Sequence, residues 1–173
     1  MEGGHRRAAR LGLRALLGVI SAEPFDSAQA RALIEALQVE MRGLYEGEDD
    51  IGPKREAHMF EPPDGVFLLL RDGDARPLGC GGVCRFDETR AELKRMYVVP
   101  EARGRGLGRR LLEELESAAS SLGYRGVVLE TGERQPEAIG LYASAGYEPI
   151  PCYGVYATRA LSRCLEKRLY ASR

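Results

Sequence analysis

Between Glu92 and Arg110 six basic residues (Lys94, Arg95, Arg103, Arg105, Arg109 and Arg110) meet only two acids, Glu92 and Glu101, in a chain whose formal charge is −1. Within that stretch Arg103-Gly104-Arg105-Gly106-Leu107-Gly108 alternates glycine with larger residues and runs directly into a helical pattern. Glycine permits left-handed backbone and close approach, and a helix start offers unpaired amide hydrogens and about half a positive charge. The turn is therefore suited to phosphate. Triphosphate hydrolysis of the Walker type is excluded, because Arg109-Arg110 follows Gly108 where Lys and Ser or Thr are required. A dinucleotide fingerprint is a nearer competitor. Gly104 and Gly106 fit it, and Glu130 stands where a ribose-binding acid would, although several predicted strands precede the turn instead of following it.

The elements that must position this turn are legible in the residue pattern. Gly18 to Phe25 reads as an edge strand interrupted by Pro24, and Asp26 with Gln29 as a variant capping box for a helix running to about Arg42. Glu46 to Gly65 is a long acidic loop with three prolines and a short helix near Lys54 to Met59. Val66 to Arg71, Arg76 to Phe86 and Glu92 to Val99 are predicted as three antiparallel strands. Leu107, Leu111, Leu112, Leu115, Ala119 and Leu122 form one stripe of a helix closed by Gly123. Val127 to Thr131 follows as a strand, and Pro136 to Ala145 as a second short helix before Gly146. Tyr147 to Tyr156 and Ser162 to Leu169 complete the predicted strands.

At 173 residues, 44% hydrophobic and 29% charged, the composition is that of one globular domain, and its near-neutral charge argues against nucleic-acid or anionic-membrane partners. The longest stretches without Asp, Glu, Lys or Arg, Ala138 to Tyr147 and Pro149 to Thr158, are far too short to span a bilayer. His5, Arg6, Arg7 and Arg10 ahead of Ala15 to Ala22 imitate the first two regions of a signal peptide, but Arg14 and Glu23 interrupt the pattern. Residues 1–17 are expected to be a basic extension and residues 18–173 the domain. Cys80, Cys84, Cys152 and Cys164 form no C-x-x-C pair, and His5 and His58 are the only histidines, so no metal is expected. Four reduced, packed thiols in a cytoplasmic protein is the reading that follows.

Arg103, Gly106 and Gly108 match the pattern R/Q-x-x-G-x-G/A, preceded by the strand Leu93 to Val99 and followed by the helix. Agreement continues through Val127-Val128-Leu129-Glu130-Thr131, Ala138, Leu141-Tyr142 and Gly146-Tyr147. On these residues the chain resembles the GNAT acetyltransferase superfamily from about Gly18 to Leu169, and its ending resembles bacterial members whose acceptors are mostly undefined. The resemblance implies an α/β fold: a mixed, mostly antiparallel sheet with splayed central strands and helices on both faces. It also implies transfer of an acetyl group from acetyl-CoA to a primary amine of a small molecule, amino acid or peptide, by direct attack in a ternary complex. It assigns the pyrophosphate to Arg103, Gly104, Arg105, Gly106, Leu107 and Gly108. The pantetheine arm and thioester carbonyl fall to backbone groups of Met96, Tyr97 and Val98. Gln135 stands where many relatives carry Asn, in contact with the pantetheine or the helix end.

Such a reaction moves two protons. An alkylamine near pKa 10 must lose one, and a thiolate whose thiol has a pKa near 8.5 leaves more readily when it gains one. Tyr142 matches the family's usual general acid. Glu92, eleven residues before Arg103, and Glu130, at the end of a strand, are the two candidates for the base, acting directly or through water. On the acceptor side Glu46, Glu48, Asp49 and Asp50 could attract a cationic amine, and Tyr153 and Tyr156 could close the pocket. A CoA-binding regulatory module without transfer is the alternative, and the resemblance is compatible with a homodimer.

Overall fold

The computed structural model describes residues 18–46 and 53–169; the basic extension 1–17 and the acids Glu48, Asp49 and Asp50 lie outside the described residues. Seven strands form one sheet: β1 (Val19–Ala22), β2 (Val66–Arg71), β3 (Pro77–Arg85), β4 (Arg90–Val98), β5 (Gly126–Gly132), β6 (Glu148–Ile150) and β7 (Ser162–Arg168). Their order across the sheet is β1-β2-β3-β4-β5-β7-β6. Every neighbouring pair is antiparallel except β4 and β5. Among the described residues three α-helices, α1 (Ala28–Leu44), α2 (Leu107–Ser121) and α3 (Pro136–Ser144), flank it. This is the mixed, mostly antiparallel sheet with helices on both faces that the resemblance implies. No helix among the described residues is long and apolar enough to cross a membrane.

Strand alternation distributes the core between the two faces. Leu68, Val83, Leu93, Val127 and Leu129 pack with Leu111, Leu112 and Leu115 of α2 and Tyr142 of α3. Phe67, Leu69, Cys80, Cys84 and Tyr97 pack on the opposite face with Ala30, Leu33, Leu37 and Met41 of α1. Each fully buried leucine contributes about 1.5–3 kcal/mol relative to exposure. Leu93 and Tyr97, both odd-numbered, nevertheless face opposite layers. The reason is a bulge: Cys80 pairs with Tyr97 and Gly82 with Lys94, leaving Gly81 opposite both Arg95 and Met96. Arg95 takes the left-handed conformation there, with φ 56°, at a cost of about 1 kcal/mol.

Several boundaries differ from the pattern. The cap of α1 is Ser27, whose Oγ accepts from the Ala30 amide at 3.2 Å, and not the Asp26/Gln29 pair. Gln29 instead accepts from Arg71 Nε. The strand expected over Tyr147 to Tyr156 is only β6, followed by a 3-10 turn at Gly154–Tyr156. Pro149 is tolerated because β6 is an edge strand, and Pro151 has no N–H with which to extend it.

The four-thiol expectation is also corrected, since Cys152 and Cys164 form a disulfide with Cα atoms 5.0 Å apart. The antiparallel register that sets Ile150 opposite Cys164 brings Cys152 within reach, which linear spacing does not reveal. Cys80 and Cys84 are free and buried, and burial pushes their pKa values up to about 12 and about 11.

Candidate active site

The glycine turn folds as its composition requires. Gly104 and Gly106 have φ 74° and 75°, and Gly106 is the N-cap of α2. A Cβ at either position would meet no protein atom within 4 Å, so left-handed backbone and not packing demands glycine. Gly106 has no side chain with which to cap the helix. Its carbonyl accepts from Arg110 N, and the amides of Leu107, Gly108 and Arg109 precede the first intrahelical donor, leaving an N-terminus suited to anions.

The six bases near this turn do not act together. Lys94 Nζ pairs with Glu92 at 2.6 Å in the sheet, and Arg95 Nη2 donates to the Pro53 carbonyl at 3.0 Å. Arg103 donates to the Val98 carbonyl and to Glu40 Oε2, at 2.9 and 2.7 Å, and lies over the Tyr97 ring. Arg109 donates to Ser144 Oγ, and Arg110 Nη1 donates to the Gly18 carbonyl at 2.9 Å. An anion at this turn would thus meet chiefly backbone amides, with Arg103 and Arg109 as tethered flanking charges.

From the turn a groove of about 590 Å³ follows the sheet inward. It exists because the β4–β5 ladder pairs only Arg90, Ala91 and Glu92 with Gly126, Val127 and Val128, after which the strands separate. Met96, Tyr97 and Val98 line the opened edge of β4, with Arg103, Gly104, Gly106, Leu107 and Gly108 at the outer end and Gln135 on the far wall. Arg105 is exposed and lies outside this lining. Leu37, Met41, Leu44 and Leu141 give the groove an apolar stretch between its polar ends.

The groove meets a second cavity of about 100 Å³, and Met41, Met96, Gln135 and Tyr142 belong to both. Tyr142 sits at this junction. Its hydroxyl lies 3.7 Å from Met96 Sδ, and burial, reinforced by Glu130, raises its pKa well above the usual phenol value. It therefore stays protonated.

The two glutamates occupy different environments. Glu92 is buried and fully engaged: Oε1 accepts from Lys94 Nζ and from Tyr153 OH at 3.1 Å, and Oε2 accepts from Arg55 Nη2 at 2.7 Å. It lines neither cavity. Glu130 lines the inner cavity and accepts one hydrogen bond, from Ser162 Oγ at 2.6 Å. Burial raises its pKa, with Ser162 opposing that shift.

Residues to which the pattern gave no part in an inner cavity complete it. Lys94, Arg95, Thr131 and Tyr45 line it, and Ser162 stands opposite Gly132 in the β5–β7 register. Tyr45 and Ser162 carry no motif, and only the bulge and the cross-strand register bring Lys94, Arg95 and Ser162 to this place. Tyr156 also lines the cavity and accepts from Lys94 Nζ at 2.9 Å, whereas Tyr153 turns to Glu92. Glu46 is exposed, with Arg134 3.7 Å away. Among the described residues no group of three His, Cys, Asp or Glu could hold a metal.

The profile of the acetyltransferase (GNAT) family matches residues 30–147, a span that includes the turn, the separated strands and Tyr142. The chain belongs to that family. Among GNAT proteins it is 36% identical over 126 residues to an IAA acetyltransferase of Azospirillum brasilense, covering 69% of this chain and 82% of that one. A Klebsiella pneumoniae structure assigned as an acyl-CoA N-acyltransferase superposes with a TM-score of 0.75 at 30% identity, covering 88% of this chain and 98% of the other. The fold is also that of a Sinorhizobium meliloti GNAT-superfamily phosphinothricin acetyltransferase in complex with acetyl-CoA, with a TM-score of 0.61 and 21% identity. That match covers 88% and 89% of the two chains.

Proposed function

We propose that this GNAT protein transfers an acetyl group from acetyl-CoA to a small primary amine within a ternary complex. The observation that carries the reading is the continuous path from the α2 N-terminus, along the unpaired edge of β4, to the Tyr142 hydroxyl. The residues present fit acetyl-CoA. Amides of Leu107, Gly108 and Arg109 would hold its diphosphate, the Met96 to Val98 edge its pantetheine amides, and Leu37, Met41 and Leu44 its apolar stretches. Bound there, acetyl-CoA supplies an activated thioester.

Glu130 is the residue we assign as base. It lines the inner cavity and burial strengthens its proton affinity, as a base acting directly or through a water requires. Glu92 has both oxygens committed to Arg55, Lys94 and Tyr153, so its role in this reading is to hold β4 against the loops on either side. Backbone amides of the separated β4 edge stabilise negative charge on the carbonyl oxygen. Tyr142 donates a hydrogen bond to the departing sulfur. Its raised proton affinity means that stabilisation of the thiolate precedes any full proton transfer.

Calorimetry and thermal shift with acetyl-CoA and NADH, followed by thiol release from acetyl-CoA with an amine panel, test the proposal. Stabilisation by acetyl-CoA and amine-dependent thiol release are expected. Stabilisation by NADH alone would overturn the reading.

A further inference from the structure

Tyr45 is 5% exposed, yet among the described residues its hydroxyl has no hydrogen-bond partner. It follows the last turn of α1 and reaches across to the end of β5, where a Cβ at Gly132 would collide with its Oη. The side chain lines the inner cavity and not the groove that leads to the glycine turn, which puts it on the acceptor side of Tyr142. Leaving a buried hydroxyl unpaired costs about 1–3 kcal/mol, a cost that a bound polar group would offset.

The neighbours specify the chemistry of that group. Thr131 and Tyr156 line the same cavity and bring O–H donors, Lys94 and Arg95 are held by Glu92, Tyr156 and the Pro53 carbonyl, and Glu130 is the cavity's one carboxylate among the described residues. Tyr156 accepts from Lys94, so its own hydrogen points elsewhere. An unpaired hydroxyl in such a wall is complementary to an oxygen of the ligand, and a bare alkyl chain would leave the Tyr45 hydroxyl unmatched.

We propose that Tyr45 binds the acceptor, and that the acceptor is a primary amine carrying a carboxylate or carbonyl oxygen that receives the Tyr45 hydroxyl's hydrogen bond. This inference rests on the acetyltransferase reading. Discrimination of this kind is strong, because an analogue without the oxygen leaves buried polar groups of the protein unpaired.

The experiment measures thiol release from acetyl-CoA with the twenty standard amino acids and their amides, and with ethylamine, propylamine and butylamine. At least one oxygen-bearing amine should react with kcat/KM about tenfold or more above every alkylamine. Tyr45→Phe should raise KM for that amine about tenfold. The Kd for acetyl-CoA by calorimetry should not change, and Tm should be equal or higher because the substitution removes an unpaired buried hydroxyl. The proposal is overturned if alkylamines react as well as amino acids, or if no oxygen-bearing probe reacts in a protein that binds acetyl-CoA. An unchanged KM, or a lowered Tm in Tyr45→Phe, also overturns it. Failure of the unaltered protein to bind acetyl-CoA overturns the acetyltransferase reading instead.

Discussion

Glu92 and Lys94, two residues apart on β4, form a 2.6 Å ion pair in which both side chains are 5% exposed. Arg55 and Tyr153 complete the shell of the carboxylate, so this cluster joins β4 to the segment ahead of β2 and to the β6–β7 connection. A buried charge deprived of its partner is costly, and Glu92→Ala deprives two cations at once. The variant is expected to lose about 3 kcal/mol or more of stability in urea unfolding. Glu92→Gln keeps an oxygen for Tyr153 and should lose less. In Glu92→Gln the acid limb of the kcat profile should stay where it is in the unaltered protein; its disappearance would return the base role to Glu92.

Glu130 has the opposite signature. Burial raises its pKa in the folded state, so ionising it works against folding: the penalty is full above the folded pKa and vanishes as pH falls below the unfolded value. Glu130→Gln keeps the acceptor for Ser162 Oγ while removing that penalty. Calorimetric Tm for the variant should exceed that of the unaltered protein at neutral pH, with the gap closing in acid. Turnover should move the other way, falling on the order of a hundredfold with loss of the acid limb. Retained turnover would eliminate Glu130 as the base.

Tyr142→Phe removes one hydroxyl whose nearest partner is the Met96 sulfur, a weak acceptor. Little stability is at stake in that bond, and the ring keeps its edge-to-face contact with Tyr147 at 5.6 Å. Turnover should fall on the order of a hundredfold with the Kd for CoA nearly unchanged, as read from steady-state kinetics beside calorimetry. Unchanged turnover would remove the acid role.

The parts of this molecule visible in the sequence are those set by local periodicity and backbone chemistry. β2 has the predicted bounds, α2 begins after the glycine pair, and Gly123 follows its end with φ 94°. What was hidden depends on cross-strand register. The bulge at Arg95 carries no turn residue, yet it sends Lys94 and Arg95 away from the glycine turn with which a count of charges groups them. The Cys152–Cys164 bond and the Ser162–Glu130 contact likewise join residues brought close by the β5-β7-β6 order. Glu92 and Glu130 look alike as strand carboxylates, and only the three-dimensional partners of each separate an engaged group from one facing a cavity.

Gly106 offers a graded test of the phosphate turn. Gly106→Ala adds only the left-handed backbone penalty at φ 75°, about 1 kcal/mol, since no protein atom lies near the new Cβ. Gly106→Glu adds bulk and a negative charge at the helix N-terminus, where an anion should sit. By calorimetry the alanine variant should bind CoA with a Kd raised no more than about fivefold, and the glutamate variant should show no measurable binding. Preserved affinity in Gly106→Glu would locate the diphosphate elsewhere.

The cysteines divide into two classes that thiol chemistry can count. A thiolate is the reactive form, and burial holds Cys80 and Cys84 at about 12 and about 11, so neither should react with a thiol reagent at neutral pH in the folded protein. Denaturation without reductant should expose two thiols, and denaturation with reductant four. The Cys152–Cys164 bond spans twelve positions and closes the segment carrying Tyr153 and Tyr156, so Cys164→Ser should cost about 3 kcal/mol of stability. Because Tyr153 reaches Glu92 and Tyr156 reaches Lys94 from that same segment, the loss should appear in acceptor KM before it appears in the Kd for CoA. Four reactive thiols in the denatured, unreduced protein would remove the disulfide and this coupling together.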